Sequence, residues 1–244
     1  MLKIPSPLLL LFFLFLPLSA LPAGGSPWEV GERLEYELRY KMFRIGRSTL
    51  EVRSRRTYRG QEVLELVNEV RSASWVDRIF PIRDTVRSYM DPEHGWSLHY
   101  EKHIREGRYR RDIEADLYHD RSIAEYSKGD VELVPGSHDI LTAIFAARRG
   151  DLEPGDSFSI PVHDDKKNYP LTVKVIRRDT MNTVLGEREC LLLEPHLESG
   201  GLFNKSGRLL VWVSADSLAI PVKMQSQVPI GSFVSELKSY RKGR

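Results

Sequence analysis

Apolar and polar residues alternate with a period of two along most of the chain after Gly31. In the first such stretch, residues 34–42, apolar or aromatic residues occupy the even positions and charged residues occupy the odd positions. A period of two places the apolar set on one side of a β-strand. The pattern predicts antiparallel strands with one side on a core and the other side in water.

Short turn sequences separate the alternating stretches. The segment 91–95, Asp-Pro-Glu-His-Gly, combines a proline that presets φ with a glycine that tolerates positive φ. Gly46 and Gly107 are predicted to mark two further turns. Successive hairpins with short turns predict a meander, because parallel strands need long crossover connections.

One segment, 138–149, has a helical periodicity. Its apolar stripe is formed by Ile140, Leu141, Ile144 and Phe145. Ser137 is predicted to cap the start of this helix, and Gly150 to take the left-handed conformation at its end. The stripe needs an apolar surface to cover, so the helix is predicted to lie across the concave face of a curved sheet.

Together these patterns predict a mainly β protein. The predicted fold is a single strongly curved antiparallel sheet, a half-barrel or open barrel, with one short amphipathic helix packed near the concave face. Residues 24–244 are sufficient for one large all-β domain. The sequence contains neither an internal repeat nor an evident linker, so we predict a single domain over 24–244.

The first 23 residues have the features of a signal peptide. Lys3 precedes an apolar run from Ile4 to Leu18, and small residues follow it. The run is shorter than the roughly 20 apolar residues that a spanning helix needs, and it contains prolines. We predict cleavage after Ala20 or Ala23, export to a bacterial periplasm, and no transmembrane span in the mature protein.

The amino-acid composition excludes several kinds of functional site. The 36 Lys and Arg residues nearly balance the 34 Asp and Glu residues, which is not typical of a nucleic-acid-binding protein. The single cysteine, Cys190, excludes an internal disulfide and a cysteine-based zinc site, and its apolar surroundings predict a buried, inert thiol. A G-x-S-x-G motif is absent. We therefore predict no enzyme, cofactor or metal, although paired carboxylates stay open because the sequence does not give their separation.

Histidines offer the other candidate chemistry. His99 and His103 lie four apart on one strand and hence about 13 Å from each other, too far to share a metal ion. They are predicted to belong to a solvated polar face. Residues 163–165, His-Asp-Asp, could ligate a divalent metal, but Lys166 and Lys167 follow at once and predict a charged loop instead.

Basic residues cluster at 53–59 and again at 102–111, each group close to a predicted hairpin turn. On a shared rim they would face anionic lipid headgroups or a phosphorylated glycolipid. Acidic residues are interspersed, however. The pattern favours exposed strand faces whose charges maintain solubility and oppose edge pairing.

Residues near both ends of the chain resemble a known family. The opening part has Gly31, Glu32, Leu34, Tyr36 and Gly46. The closing part has Gly207, Leu209, Val211, Trp212, Ser214, Asp216, Pro221, Val222, Gly231, Ser232, Glu236 and Leu237. From Gly31 to Tyr240 the chain resembles the bacterial exported family catalogued as domain of unknown function 3108, including a helix near Leu141 followed by an arginine.

This resemblance implies a cell-envelope protein of the Gram-negative type with a strongly curved antiparallel sheet. It also implies an architecture similar to that of the periplasmic half-barrel lipoprotein carriers. The motifs are structural, and the resemblance implies no catalytic residues.

A sheet that coils without closing leaves an apolar trough. We therefore hypothesise a non-enzymatic periplasmic or envelope protein that binds an apolar ligand, a lipid or a lipoprotein in this trough. The alternative is a structural protein that docks an envelope protein partner and fills the trough with its own helix. The candidate ligand-binding residues are Tyr36, Leu38, Tyr40, Leu50, Leu98 and Tyr100.

Overall fold

The structure, a computed structural model, describes residues 28–148, 151–197, 208–228 and 231–244. The predicted signal peptide, its cleavage sites and the predicted helix end at Gly150 lie outside the described residues. Over the described ranges, the chain forms one open, antiparallel sheet of 14 strands, which confirms the predicted mainly β fold.

The described strands are, in chain order, β1 (Arg33–Tyr40), β2 (Phe43–Tyr58), β3 (Gln61–Ser72), β4 (Arg83–Met90), β5 (Ser97–Glu106), β6 (Tyr109–Tyr118), β7 (Ile123–Tyr126), β8 (Val131–Glu132), β9 (Ser157–Asp164), β10 (Lys167–Thr183), β11 (Gly186–Leu197), β12 (Arg208–Ser214), β13 (Pro221–Val228) and β14 (Gly231–Arg241). The helices are α1 (Ser74–Asp77) and α2 (Ile140–Ala146). Among these described helices, neither has the length and apolar character required to cross a bilayer.

The first and last described strands, β1 and β14, are neighbours in the middle of the sheet. Strands β1 to β8 follow one another outward as hairpins, and β9 to β14 return until β14 pairs with β1. The β1–β14 register runs from Arg33 opposite Arg241 to Tyr40 opposite Phe233. The two edges of the sheet, β8 and β9, therefore come from the middle of the chain.

Segment 133–139 connects these two edges. The Leu133 N–H donates to the carbonyl of Ser122, next to β7, at 2.9 Å. The His138 N–H donates to the carbonyl of Pro161 in β9 at 2.8 Å, and His138 forms a parallel bridge with Val162. The sheet thus curves until one segment spans the gap between its edges.

Gly46 lies within β2, so the predicted turn at this residue is wrong. The chain turns earlier, at Lys41, whose φ is 53°. A Cβ at position 46 would lie 2.6 Å from the carbonyl oxygen of Arg71, which is closer than real atoms approach. Glycine is needed here because β2 and β3 approach each other closely at this position, not because the chain turns.

Helix α2 is shorter than the predicted segment 138–149. Asp139 caps it: its carboxylate accepts the N–H of Leu141 at 2.6 Å and that of the following residue at 3.2 Å. The hydroxyl of Ser137 is engaged elsewhere, with an upstream carbonyl at 2.6 Å. The backbone before Asp139 is held by β9, so the helix can begin only after it.

Candidate functional site

Helix α2 packs two different faces against the sheet. Leu141 and Phe145 are buried in a core cluster that includes Leu34 of β1 and Leu50 of β2. Ala143 belongs to a second core cluster, formed with side chains of β9 to β12. The helix is therefore enclosed by the curved sheet, which confirms its predicted position near the concave face.

A buried ion pair fixes the end of this helix. Arg148 donates two hydrogen bonds to the carboxylate of Glu32, at 2.7 and 2.8 Å, and their side chains are only 1% and 3% exposed. Arg148 also donates to the carbonyl of Leu218 at 3.0 Å, and the hydroxyl of Tyr240 donates to Glu32 at 3.4 Å. The helix end is thereby tied to the start of β1 and to the loop before β13.

An apolar cavity of about 190 Å³ lies between α2 and strands β10 to β13. On the helix side it is lined by Ile140, Ala143, Ile144 and Ala147, with Arg148 at its edge. On the sheet side it is lined by Leu171, Val173, Leu193, Pro195, Leu209, Val211, Val213, Pro221 and Met224. The small alanine side chains leave the space that larger residues would fill.

Strand register explains why this wall is apolar. Leu193 lies opposite Val211, and Val211 lies opposite Met224, so all three point to the same side of the sheet. Strands β10, β11 and β12 contribute alternate residues to that side. In β13 a register shift opposite Trp212 and Val213 brings Pro221 and Met224, three positions apart, to the same cavity. The cavity can accept an apolar chain, but its side-chain lining offers hydrogen-bonding groups only through Arg148.

Three of the six predicted ligand-binding residues lie in closely packed surroundings. Tyr36 and Leu50 belong to the core cluster beneath α2, and the Tyr36 hydroxyl donates to the carbonyl of Pro221 at 2.8 Å. Burial raises the pKa of Tyr36, with smaller effects of Arg148 and Glu32. Leu98 is also buried. None of the three lines the cavity.

The other three lie farther apart. Tyr100 is buried in a third cluster with β6 and β7, whereas Leu38 and Tyr40 are partly exposed near the end of β1. The ring of Tyr40 contacts that of Phe233, with centroids 5.0 Å apart. The structure thus brings Tyr36 and Leu50 together and separates the rest. Ligand binding by these six residues stays a prediction.

Sequence reasoning missed both Glu32 with Arg148 and the cavity wall. Glu32 precedes the first strand and Arg148 lies at the end of the predicted helix, but no local signal in the sequence pairs them. Nothing in the sequence indicates which strands meet at the cavity wall.

A buried polar network closes the gap between the edges. His163 of β9 hydrogen-bonds to the Tyr126 hydroxyl and to the Asn168 side chain, each at 2.7 Å. Tyr126 in turn contacts the Tyr100 hydroxyl at 2.8 Å. Residues 165–166 form a tight turn between β9 and β10, which agrees with the predicted charged loop. The same prediction is wrong for His163 and Asp164, because both belong to β9 and His163 is buried.

Two histidines of this region, the buried His163 and the partly buried His119, are held neutral. Burial lowers the pKa of His163, opposed by Asn168 and Asp164 and assisted by Lys102. Burial also lowers the pKa of His119, which accepts the Gly136 N–H at 3.0 Å and contacts the carbonyl of Ser97 at 2.6 Å. Both rings act as hydrogen-bond acceptors, a role that protonation would end.

The stability of the protein should therefore fall in acid. With a pKa lowered by folding, each histidine contributes fully above its unfolded pKa of about 6.5, and the contribution is lost as pH falls through the folded value. We expect the free energy of unfolding, measured by urea titration between about pH 7.5 and about pH 5, to fall more steeply in the wild type than in the His119→Gln/His163→Gln double variant.

The exposed His196 provides the matched control, because His196→Gln removes a histidine that the fold does not bury. Its pH slope should equal that of the wild type. Equal slopes for the wild type and the double variant would show that His119 and His163 do not control acid sensitivity.

His99 is buried, so its predicted place on a solvated face is wrong. The rings of Tyr58 and Tyr89 cover it, with centroids 5.1 and 5.2 Å away, and its side chain is 3% exposed against 46% for His103. Its Nδ1 lies 3.0 Å from the carboxylate of Asp116. The imidazole is thus enclosed by aromatic and acidic neighbours, an arrangement that a period-two pattern does not reveal.

Cys190 is buried as predicted. Burial, together with the carboxylates of Asp216 and Asp179, raises the pKa of its thiol to about 11, so the reactive thiolate is scarce at neutral pH. Over the described ranges, His, Cys, Asp and Glu form no group of three arranged to hold a metal ion.

Comparison with known proteins gives a family and a fold. A family model described as "Protein of unknown function (DUF3108)" matches residues 35–238. No curated protein matches the chain. A β-barrel-like protein of domain of unknown function DUF1849 from Brucella abortus has a similar structure, with a TM-score of 0.57, 11% identity, and coverage of 86% of this chain and 97% of that one.

Two further solved structures are similar at lower scores. A candidate lipoprotein from Parabacteroides distasonis has a TM-score of 0.39, 11% identity, and coverage of 87% of this chain and 95% of that one. A candidate exported protein with a YmcC-like fold from Bacteroides fragilis has a TM-score of 0.38, 11% identity, and coverage of 88% and 97%. The descriptions of the family and of these structures name no catalytic activity.

Proposed function

The chain belongs to the DUF3108 family, whose function is unknown, and we propose that it is an exported, non-enzymatic cell-envelope protein that binds an apolar ligand such as the acyl chain of a lipid or lipoprotein. The observation that carries the proposal is the apolar cavity between α2 and strands β10 to β13. The predicted signal peptide supports export to the periplasm.

The size of the cavity sets the class of ligand. At about 190 Å³ it is smaller than the roughly 300–1,000 Å³ of a site for a drug-sized molecule. A flexible hydrocarbon chain suits such a space, because it can enter in part and leave a polar headgroup outside. Burial of each methylene contributes about 0.8 kcal/mol, so each methylene that the cavity accepts strengthens binding roughly fourfold.

The six sequence-predicted residues have a different place in this proposal. Tyr36 and Leu50 lie in the core beneath α2, where a ligand would contact them only after displacing the helix. We therefore assign the first contacts to the cavity wall and keep Tyr36 and Leu50 as candidates for a state in which α2 has moved. Leu38, Tyr40, Leu98 and Tyr100 stay sequence-based candidates that do not line the cavity.

Filling the cavity should abolish binding. In Ala143→Phe the new ring occupies the space beside α2, and exclusion of only two methylenes weakens binding about tenfold. We expect the affinity of the delipidated variant for a fluorescent fatty acid to fall at least this much. Native mass spectrometry of the protein extracted from an envelope fraction should show a carried lipid in the wild type and none in the variant.

A matched control introduces a phenylalanine ring outside the cavity. Val184→Phe places it on the exposed β10–β11 turn and should leave fatty-acid binding unchanged. Leu209→Trp fills the cavity from the sheet side. Loss of binding in this variant as well would show that the effect of Ala143→Phe does not come from a folding defect in α2. Wild-type protein that binds no fatty acid and carries no lipid would contradict the proposal.

One observation favours a second candidate function. The enclosed position of Leu141 and Phe145 means that the helix itself fills much of the concave face. In that case the protein is a structural component of the envelope that docks a protein partner. It would then carry no lipid, and chemical crosslinking in cells should capture one stoichiometric partner equally well with the wild type and with Ala143→Phe.

A further inference from the structure

Large apolar side chains protrude from one end of the sheet. Three connections lie side by side at this end of the sheet: the β1–β2 turn, the β3–β4 connection that contains α1, and the β5–β6 turn. Their exposed apolar residues are Met42, Phe43, Trp75, Ile79, Phe80 and Tyr109. We call this set, with the three connections that carry it, the apolar tip. Ile79 and Met42 are 80% and 75% exposed, so the tip points outward and covers no core.

Contacts between the connections make the tip one continuous surface. The rings of Phe43 and Trp75 meet edge to face with centroids 6.4 Å apart, and the Trp75 indole N–H donates to the Arg44 carbonyl at 2.8 Å. The ring of Phe80 lies against Gly107, where an added Cβ would come within 2.5 Å of it. The protruding side chains are therefore held by fixed backbone.

The tip is strongly basic. Segments 39–47, 71–83 and 105–111 together carry eleven Lys or Arg residues and two acidic residues, although the net charge of the whole chain is only +2. One of the two acids, Asp77, is paired with Arg83 at 2.5 Å. Acids just outside these segments, Glu37, Glu69, Asp112 and Asp165, pair with five further arginines of the tip, so its charge is partly neutralised and stays net positive. Five arginines line a cleft of about 720 Å³ beside Trp75, namely Arg44, Arg47, Arg71, Arg78 and Arg83.

The two basic groups found in the sequence do not share a rim. The group at 102–111 belongs to the tip, whereas the β2–β3 turn that follows the group at 53–59 is at the opposite end of its hairpin. The tip instead combines 102–111 with arginines from β2, α1 and β4. Its positive charge is concentrated where the apolar side chains protrude.

We propose that the apolar tip docks on the surface of an anionic lipid bilayer. Exposed apolar patches rimmed by charge mark interaction sites, and Trp and Tyr favour the level of lipid headgroups. Arginines attract anionic headgroups, and the cleft beside Trp75 offers them several guanidinium groups at once. Side chains that protrude individually suit insertion between lipids, whereas a protein partner would need matching pockets. This proposal is independent of the apolar cavity.

Vesicle flotation tests the proposal. The wild type and all variants are purified from a host that exports the protein. Mass spectrometry confirms that they share the same N-terminus. Wild type should float with phosphatidylglycerol-containing vesicles, far less with pure phosphatidylcholine, and less as salt rises. Met42→Asp/Ile79→Asp and Arg78→Gln/Arg108→Gln should each lower the fraction bound about tenfold or more, because each pair removes apolar insertion or basic charge.

Matched variants outside the tip provide the controls. Arg55→Gln/Arg188→Gln removes two exposed arginines, and Val184→Asp charges an exposed apolar residue. Both should float as the wild type does, and so should the cavity variant Ala143→Phe, which separates this proposal from the proposed ligand site. Failure of the wild type to float, or equal flotation of tip and control variants, overturns it. A photocrosslinker at position 79 that labels an acidic protein, with no vesicle binding, would assign the tip to a protein partner.

Discussion

Replacing Arg148 with methionine is expected to lower the free energy of unfolding by about 3–5 kcal/mol, because it leaves the Glu32 carboxylate buried without its partner. Glu32→Gln should cost a similar amount, since it leaves the guanidinium of Arg148 buried without a counter-charge and that group cannot lose its proton. Loss of the Arg148 bond to the carbonyl of Leu218 adds to the effect. Urea denaturation monitored by tryptophan fluorescence measures both changes.

The double variant Glu32→Leu/Arg148→Met distinguishes the contribution of the ion pair from that of the surrounding apolar packing. Replacing both charges by apolar groups of similar size is often neutral or stabilising, so much of the loss should be recovered. A double-mutant cycle then gives the coupling between the two residues. The exposed pair of Arg178 and Glu153, 2.6 Å apart, is the control, and Arg178→Met should leave the unfolding midpoint unchanged. An equally small effect of Arg148→Met would mean that this end of α2 is solvated.

Replacing Phe145 with alanine is expected to cost about 3–5 kcal/mol, the range for a fully buried aromatic ring. Phe145 is enclosed by the first core cluster and meets the ring of Trp28 edge to face, with centroids 5.8 Å apart. The cost includes the loss of apolar burial and the cavity that remains. Urea denaturation again provides the measurement, with thermal unfolding as a second probe.

Ile144→Ala is the matched control on the same helix. Ile144 is partly buried and lines the cavity, so its truncation removes fewer contacts and should cost clearly less than that of Phe145. Similar small effects of both substitutions would show that α2 opens without unfolding the sheet. The helix would then be a lid over the trough, and Tyr36 and Leu50, the two predicted residues beneath it, would become accessible.

These results bear on how a ligand reaches the cavity. A helix anchored in its last turn by Phe145, and just beyond its end by Arg148, divides the concave face into a filled part and an apolar cavity. If both anchors are as strong as expected, the ligand enters beside α2. The proposed binding of one lipid chain would then leave the core beneath the helix intact.

Much of the fold was predictable because the signals are local. Alternation over residues 34–42 predicts a strand that buries one side, and the stripe containing Leu141 and Phe145 predicts a helix on an apolar surface. Burial of Cys190 follows from its apolar neighbours. Each of these inferences needs only a window of about ten residues, which a sequence displays directly.

Short sequence segments do not decide two other features, the capping residue of α2 and the role of Gly46. Ser137 and Asp139 are both favoured capping residues, and the hydrogen bonds of His138 to β9 decide between them. Gly46 is an equally good turn residue and close-contact residue in the sequence. Only the register of β2 against β3 shows that it faces the carbonyl of Arg71.

The sequence by itself determined a mainly β chain with one amphipathic helix, because periodicity is a property of neighbouring residues. The tertiary structure decided what those elements form together. Glu32 and Arg148 are 116 residues apart, and the cavity wall collects side chains from four strands. Such contacts depend on the pairing of β1 with β14 and on the curvature of the whole sheet. These arise from the sum of many strand pairings, which no single segment specifies.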